Sequence, residues 1–141
     1  MEDGPSYRFN NRYNVAGKFG AIYLAGDVEV CRATLEKRGY LAGRMTPHVL
    51  LTYEVHCERI LDLTDLKTMS VLNLRIEDFL KPSDQPGAYD APQLFSSAVY
   101  DHGAIDGLLV PDVTHTGNTL VLYPGRVLTN GSVRLKERRT L

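Results

Sequence analysis

The sequence lacks several features that would place it in a particular class of protein. It has no run of about 18 apolar residues, the length that a membrane-spanning helix requires. Its first ten residues, MEDGPSYRFN, contain no apolar signal-peptide core, so we expect a soluble, non-secreted, cytoplasmic protein. The 16 Lys and Arg residues nearly balance the 17 Asp and Glu residues. Because a strong basic excess is missing, direct nucleic-acid binding is not favoured.

Cysteine and the common nucleotide motifs are also scarce. Cys31 and Cys57 lie in apolar patterns, which indicates reduced, buried thiols, and two cysteines alone do not build a structural zinc site. No G-x-G-x-x-G opens a helix, and neither G-x-x-x-x-G-K-[ST] nor G-x-S-x-G occurs. A bound nucleotide would therefore be held by neither a Rossmann fold nor a P-loop, and a hydrolase with a nucleophile elbow is excluded.

What is present predicts one domain, residues 1–141, of the α+β class. A chain of 141 residues that is 43% hydrophobic buries roughly two thirds of its extended surface. The apolar run 20–25 predicts a strand, and Asp27 is a candidate N-cap for a helix over 28–39. Alternation over 49–63 predicts one half-exposed strand or two, with Leu51, Tyr53 and Val55 on one face.

The second half predicts helices and strands that interleave irregularly. Short helical pieces are expected over 64–81, and a proline-rich loop that could cover a site over 81–92. A helix is expected over 93–101, with His102-Gly103 as its stop. Strands are expected at 108–110 and 119–123, with an edge strand at 132–135. The basic tail KERR, 136–139, has the character of a solvated terminus. This order favours a compact mixed sheet with flanking helices and no regular βαβ repeat.

Two groups of polar residues have both an ordinary and a functional interpretation. Glu54, His56 and Glu58 share the other face of the predicted strand, so they form either a solvent-facing surface or a metal-dependent hydrolase site. On the first helix, Glu29, Arg32 and Glu36 follow one another at i, i+3 and i+7. Spacing alone therefore makes Glu36 part of an exposed, ion-paired stripe.

One series of residues resembles a known family. The segments in order are Arg12-Tyr13-Asn14, Gly17, Gly20-Ala-Ile-Tyr23-Leu-Ala25 and Cys31-Arg-Ala-Thr-Leu-Glu36. They are similar to the G-R-W-N-like turn, the L-Y-L-A strand and the glutamate-bearing helix of the RES-domain family. Gly107-Leu-Leu-Val-Pro111 and Asn118-Thr-Leu-Val-Leu-Tyr-Pro124 resemble the closing strands of that family. The resemblance covers residues 6 to about 126 and is densest between Arg12 and Glu36.

The resemblance implies a bacterial toxin of a toxin-antitoxin pair that consumes NAD, on a fold similar to ADP-ribosyltransferases. NAD is then the substrate, and no metal is expected. Arg12 would clamp the pyrophosphate, and Tyr23 would stack on a ring or approach the ribose. Glu36 would stabilise the positive charge that develops on the ribose. The resemblance adds Asn14 and Arg8 to the NAD-binding residues, Arg8 in place of an earlier arginine of the family.

The sequence departs from the family at its late turn and leaves three questions open. Pro111 is followed by Asp112 where the family has a serine, with Thr114 and Thr116 nearby as alternative hydroxyls. The alternative function is accordingly a degenerate, non-catalytic module that binds a nucleotide or a partner. The acceptor of ADP-ribose is water, phosphate or a protein. The implied partner is an antitoxin with a helix-turn-helix DNA-binding part, contacting the 82–92 loop or the KERR tail.

Overall fold

The structure, a computed structural model, describes residues 7–37 and 49–140, with no side-chain detail for 128–130. The strands of this part are β1 Ile22–Ala25, β2 Val49–His56, β3 Ile60–Asp62, β4 Gly107–Pro111, β5 Asn118–Leu122 and β6 Ser132–Thr140. The helices are α1 Val28–Lys37, α2 Leu66–Val71, α3 Asp90–His102 and α4 Pro124–Asn130, with a 3-10 turn at Ile76–Asp78. The predicted α+β class is confirmed.

Four strands form a mixed central sheet in the order β1-β5-β4-β3. β5 is antiparallel to both β1 and β4, whereas β3 runs parallel to β4. The middle strands carry Leu108, Val110, Val121 and Leu122, all of which are almost fully buried. Strands buried on both faces read as short continuous apolar runs, and this explains why both were visible in the sequence.

Aromatic rings fill the core between the sheet and α3. Phe19 stacks on Tyr100 with ring centroids 4.4 Å apart, and Tyr123 meets Phe19 edge-on at 5.7 Å. The buried hydroxyl of Tyr123 lies 2.8 Å from the hydroxyl of Ser96 on α3, so its polar end is satisfied. This cluster fixes α3 against the sheet and thereby supports the loop that precedes α3.

Both predicted helix signals that lie within the described residues are confirmed. The Asp27 carboxylate accepts hydrogen bonds from the backbone N–H groups of Glu29 and Val30 at 2.9 and 3.1 Å, as an N-cap does. Gly103 ends α3 with φ of +85°, the left-handed conformation that glycine adopts without strain. The predicted end of the first helix at Gly39 lies outside the described residues, since α1 is described to Lys37.

The segment 49–63 forms two strands that belong to different sheets. β2 pairs antiparallel with β6 in a separate two-stranded ribbon, and β3 joins the central sheet. The register shifts between Thr52 and Tyr53, which breaks the strict alternation predicted across this stretch. Leu51, expected on the buried face, is 44% exposed.

The structure corrects two expectations about the C-terminal part. Residues 136–139, expected as a solvated tail, lie within β6, where Arg138 pairs with Leu51 and Glu137 with Thr52. Helix α4 was not predicted, although Pro124 in its first turn is a recognised start signal. None of the helices in residues 7–37 and 49–140 has the length and apolar character needed to cross a membrane.

Candidate active site

A cleft of about 1050 Å³ opens between α1, the β4–β5 turn, the 11–14 turn and the loop before α3. The end of β2 forms one wall through Val49, Leu50 and Leu51. The volume lies at the upper end of the range for ligand pockets, about 300 to 1000 Å³, so a dinucleotide-sized molecule fits. The polar and charged side chains that line it are Asn11, Arg12, Tyr13, Tyr23, Thr34, Lys37, Ser83, Asp84, Tyr89, Asp112, Thr114 and Thr119.

The 11–14 turn is a rigid support for Arg12. Asn11 and Asn14 exchange two backbone hydrogen bonds, of 3.2 and 3.3 Å. The side-chain amide of Gln93, on α3, donates to the carbonyl groups of both residues at 2.9 and 3.2 Å. The turn is therefore closed on itself and also fastened to a core helix, so the direction in which Arg12 leaves the backbone is fixed.

Arg12 is held in the cleft by two further contacts. Its Nη1 donates to the carbonyl oxygen of Phe79 at 3.0 Å, and its guanidinium carbon lies 5.0 Å from the centre of the Tyr89 ring. Stacking on an aromatic face orients the planar guanidinium, which carries five N–H donors in all. A guanidinium oriented in this way presents parallel N–H groups that match two oxygens of a phosphate.

Tyr23 presents its ring to the cleft and its hydroxyl to the protein interior. The hydroxyl donates to Oδ1 of Asn14 at 2.8 Å and accepts from the backbone N–H of Tyr13 at 3.0 Å. Burial raises the pKa of Tyr23 above its ordinary value, with the Tyr13 N–H acting in the opposite direction. The side chain remains 36% exposed, so the part that a ligand meets is mainly the ring.

Asn14 lies beneath the cleft and is fully buried. Its Nδ2 donates to the carbonyl oxygen of Phe9 at 2.9 Å while its Oδ1 receives the Tyr23 hydroxyl. It thus positions Tyr23 and does not line the cleft itself. Arg8, the other expected binding residue, is exposed and also lies outside the lining.

Helix α1 turns Cys31, Thr34 and Leu35 toward the cleft, at the spacing of one helix face. The Thr34 hydroxyl donates to the carbonyl oxygen of Val30 at 2.9 Å. Burial raises the pKa of the Cys31 thiol, so this cysteine stays protonated and unreactive. Glu36 follows Leu35 by one residue, about 100° around the helix, and is exposed outside the lining.

The β4–β5 turn places one carboxylate in the cleft. Asp112 accepts the backbone N–H of Thr114 at 2.9 Å, the hydroxyl of Thr119 at 2.7 Å and, in a short contact, the hydroxyl of Thr114. Burial acts to raise the pKa of Asp112, but these hydrogen bonds and the charge of Lys37 outweigh it, so the pKa is lowered. Asp112 is consequently an ionised carboxylate at neutral pH.

Tyr13 lines the same cleft as Arg12 and Asp112. It is 3% exposed, and its hydroxyl has no hydrogen-bond partner among the residues that the structure describes. Burial is the main cause of its raised pKa, with Arg12 acting to lower that pKa and Asp112 to raise it. Tyr13 therefore lies within electrostatic reach of both the cation and the anion of the cleft.

Glu54, His56 and Glu58, the residues suggested for a metal site, make other contacts in the structure. Glu54 contacts His56 at 3.0 Å and forms an ion pair with Arg134 of β6, while Glu58 follows the strand in an exposed bend. The His56 hydrogen bond, and next the Arg134 charge, lower the pKa of Glu54. Within residues 7–37 and 49–140, no group of three His, Cys, Asp or Glu side chains has the arrangement of a metal site.

Sequence reasoning missed the roles of Tyr89, Lys37 and Thr119 in the cleft. The loop predicted to cover a site supplies Tyr89 together with Pro82, Ser83 and Asp84. Its three prolines marked it as a loop, but nothing local indicates that Tyr89 supports an arginine 77 positions earlier. Contacts of this kind depend on tertiary packing, which local patterns do not encode.

No curated protein matches this chain. Among solved structures, it is similar to a chain of the M. tuberculosis MbcT-MbcA toxin-antitoxin complex, with a TM-score of 0.77 and 24% identity. That match covers 99% of this chain and 75% of the other. The family model of the RES domain matches residues 2–138, nearly the full length, and the chain therefore belongs to the RES-domain family.

Proposed function

We propose that this protein is a RES-domain toxin that cleaves the nicotinamide–ribose bond of NAD. The observation that carries the proposal is one cleft of dinucleotide size in which Arg12, oriented by the Tyr89 ring, and the exposed ring of Tyr23 occur together. An oriented guanidinium matches a pyrophosphate, and an aromatic ring matches a flat base or nicotinamide. A pyrophosphate and flat aromatic rings are both parts of NAD.

Cleavage of this bond develops positive charge on the ribose, so the site needs a negative group near the sugar. The family resemblance assigns that task to Glu36, and this assignment stays a prediction. Arg12 binds the pyrophosphate, and Tyr23 stacks on a ring. Asn14 keeps the Tyr23 ring in place through its hydrogen bond to the hydroxyl.

The toxin assignment implies a protein partner that blocks the cleft, because uncontrolled NAD consumption is lethal to the producing cell. Membership of the RES family supports it, as does the similarity to a chain of a toxin-antitoxin complex. We propose an antitoxin with a helix-turn-helix DNA-binding part. The expected cellular result is that expression of this chain alone lowers NAD and arrests growth, and that co-expression of the antitoxin prevents both effects.

The biochemical test follows nicotinamide release from NAD by the purified protein. Arg12→Lys keeps the charge but loses the planar fork, so kcat/KM should fall by tenfold or more, mainly through KM. Arg32→Lys is the matched control, since Arg32 forms an exposed ion pair with Glu29 on α1 and does not line the cleft. Absence of nicotinamide release by the unmodified protein would falsify the proposal.

The products identify the acceptor of the ADP-ribose. Free ADP-ribose shows that water is the acceptor, ADP-ribose phosphate shows phosphate, and label on a lysate protein shows transfer to a side chain. Calorimetry with ADP-ribose measures binding separately from turnover. Binding of ADP-ribose without cleavage of NAD would instead support the non-catalytic module, the alternative function that the sequence left open.

A further inference from the structure

The helix and the late turn present different functional groups to the cleft from those that the resemblance implies. The resemblance places a glutamate on the helix and a serine after the proline of the late turn. In the structure, α1 presents Thr34 to the cleft and the turn presents Asp112, while Glu36 lies outside the lining. The two functional groups have thus exchanged sides, and the cleft still contains both.

Asp112 is built to remain charged. Both of its carboxylate oxygens accept hydrogen bonds, one from the Thr119 hydroxyl and the other from Thr114. The charged and titratable groups that interact electrostatically with it are Lys37 and Cys31 of α1 and Tyr13 of the 11–14 turn. Arg12 and Asp84 also line the cleft. A carboxylate held by neutral donors keeps its negative charge available to a cation in the cleft.

We propose that Asp112, in place of the Glu36 that the resemblance implies, is the carboxylate that faces the nicotinamide riboside end of NAD and stabilises the cation formed on cleavage. This inference rests on the proposed function and deepens it. The bond between ribose C1′ and the nicotinamide nitrogen breaks, and its electron pair leaves with the neutral nicotinamide. The positive charge moves to the ribose, where the acceptor adds at C1′. When water is the acceptor, it releases a proton to solvent, so that NAD and water give ADP-ribose, nicotinamide and a proton.

The charges of the cleft also set the direction in which NAD binds. Arg12 and Asp112 carry opposite charges, and both line the cleft. The pyrophosphate is attracted to Arg12 and repelled by Asp112, whereas the cationic nicotinamide ring is attracted to Asp112. NAD is therefore oriented with its pyrophosphate at Arg12 and its nicotinamide ribose at Asp112.

The first test compares isosteric substitutions under saturating NAD. Asp112→Asn should lower kcat about 100-fold or more, whereas Glu29→Gln, on the exposed face of α1, should leave it unchanged. Asp112→Ser should also lose turnover. Turnover that survives in Asp112→Asn, is abolished in Glu36→Gln, or rises in Asp112→Ser would overturn the inference.

The second test does not depend on turnover. The carbocyclic analogue of NAD keeps the cationic nicotinamide but resists cleavage, whereas NADH carries a neutral ring. The unmodified protein should bind the analogue about tenfold more tightly than NADH, and Asp112→Asn should bind the two equally. An equal affinity in the unmodified protein, or a preference retained in the variant, contradicts the role of Asp112. This comparison decides the point even where no nicotinamide is released and the proposed function itself has failed.

A third test uses Thr119→Val, which removes one hydrogen bond to the carboxylate and keeps the shape of the side chain. Loss of this donor raises the pKa of Asp112, so the acidic limb of the pH profile of kcat should move to higher pH. Activity on the alkaline side of that limb should persist. An acidic limb that does not move shows that turnover does not depend on Asp112.

Discussion

At the scale of single residues, the structure of the cleft depends most clearly on the buried side-chain amide of Asn14. This side chain is 0% exposed and joins the Tyr23 hydroxyl to the Phe9 carbonyl. Asn14→Ala leaves buried polar groups without their partner, each of which costs about 1 to 3 kcal/mol. We expect the free energy of unfolding to fall by roughly 2 to 4 kcal/mol, measured by urea denaturation.

Asn10→Ala is the control for this substitution. Asn10 accepts the backbone N–H of Ala16 at 2.8 Å but is exposed, so water replaces its oxygen. Its loss should cost no more than about 1 kcal/mol. Equal effects of the two substitutions would show that burial of the Asn14 network does not contribute to stability.

Single residues also show what the sequence was able to predict. Arg12 and Tyr23 came from the resemblance, and both line the cleft. The apolar stripe of α1 runs through Cys31 and Leu35, and Thr34 lies on the same face, whereas Glu36 belongs to the face of Glu29 and Arg32. Helical spacing therefore indicated the exposed position of Glu36, while the resemblance indicated a role in the site.

At the scale of the elements, β4 and β5 leave no room for a side chain at Gly107. A β-carbon at this position would lie 2.3 Å from the carbonyl oxygen of Val121, a backbone atom that cannot move aside. Gly107→Ala should therefore lower the thermal midpoint by several degrees, corresponding to about 1 to 3 kcal/mol. Gly125→Ala, whose β-carbon meets nothing within 4 Å, should be neutral or slightly stabilising.

The β2–β6 ribbon gives a second prediction for an element. Residues 136–139 lie in β6, and two-stranded ribbons have little stability of their own. In hydrogen exchange, the β6 amides that bond to β2 should be protected, but less than those of β4 and β5. Exchange of residues 136–139 at the rate of an unstructured chain would show instead that they form a solvated tail.

The elements differ in how far the sequence predicted them. The predicted bounds of β4, β5 and α3 were close to the observed ones, because buried strands form short apolar runs and Gly103 marks a helix end. The ribbon was not visible, since β2 and β6 lie about 80 positions apart in the chain. Pairing over such a distance leaves no local signal, and the residues of β6 after Leu135 do not alternate in polarity as a half-buried strand does.

At the scale of the whole molecule, buried tyrosines make the fold sensitive to alkali. Burial raises the pKa of Tyr123 to about 12, and it also raises the pKa values of Tyr13 and Tyr23. The pKa of Tyr123 is higher in the folded than in the unfolded state. The stability that its protonated hydroxyl contributes is therefore fully present below the unfolded value of 10 and is lost as the pH rises toward 12.

The measurement is the urea midpoint as a function of pH. Between pH 10 and 12, Tyr123 alone should lower the free energy of unfolding by about 1.4 kcal/mol per pH unit. Tyr123→Phe removes this contribution and should flatten the decline. A midpoint that stays constant up to pH 12 would show that these hydroxyls ionise as readily in the folded protein as in the unfolded one.

Nicotinamide release from NAD by the purified protein shows whether the cleft cleaves the nicotinamide–ribose bond. We expect release by the unmodified protein, a marked loss in Arg12→Lys and no change in Arg32→Lys. Release that is equally unaffected by both arginine substitutions would place the chemistry outside this cleft. No release at all, with the protein folded and NAD saturating, would show that the protein does not cleave NAD.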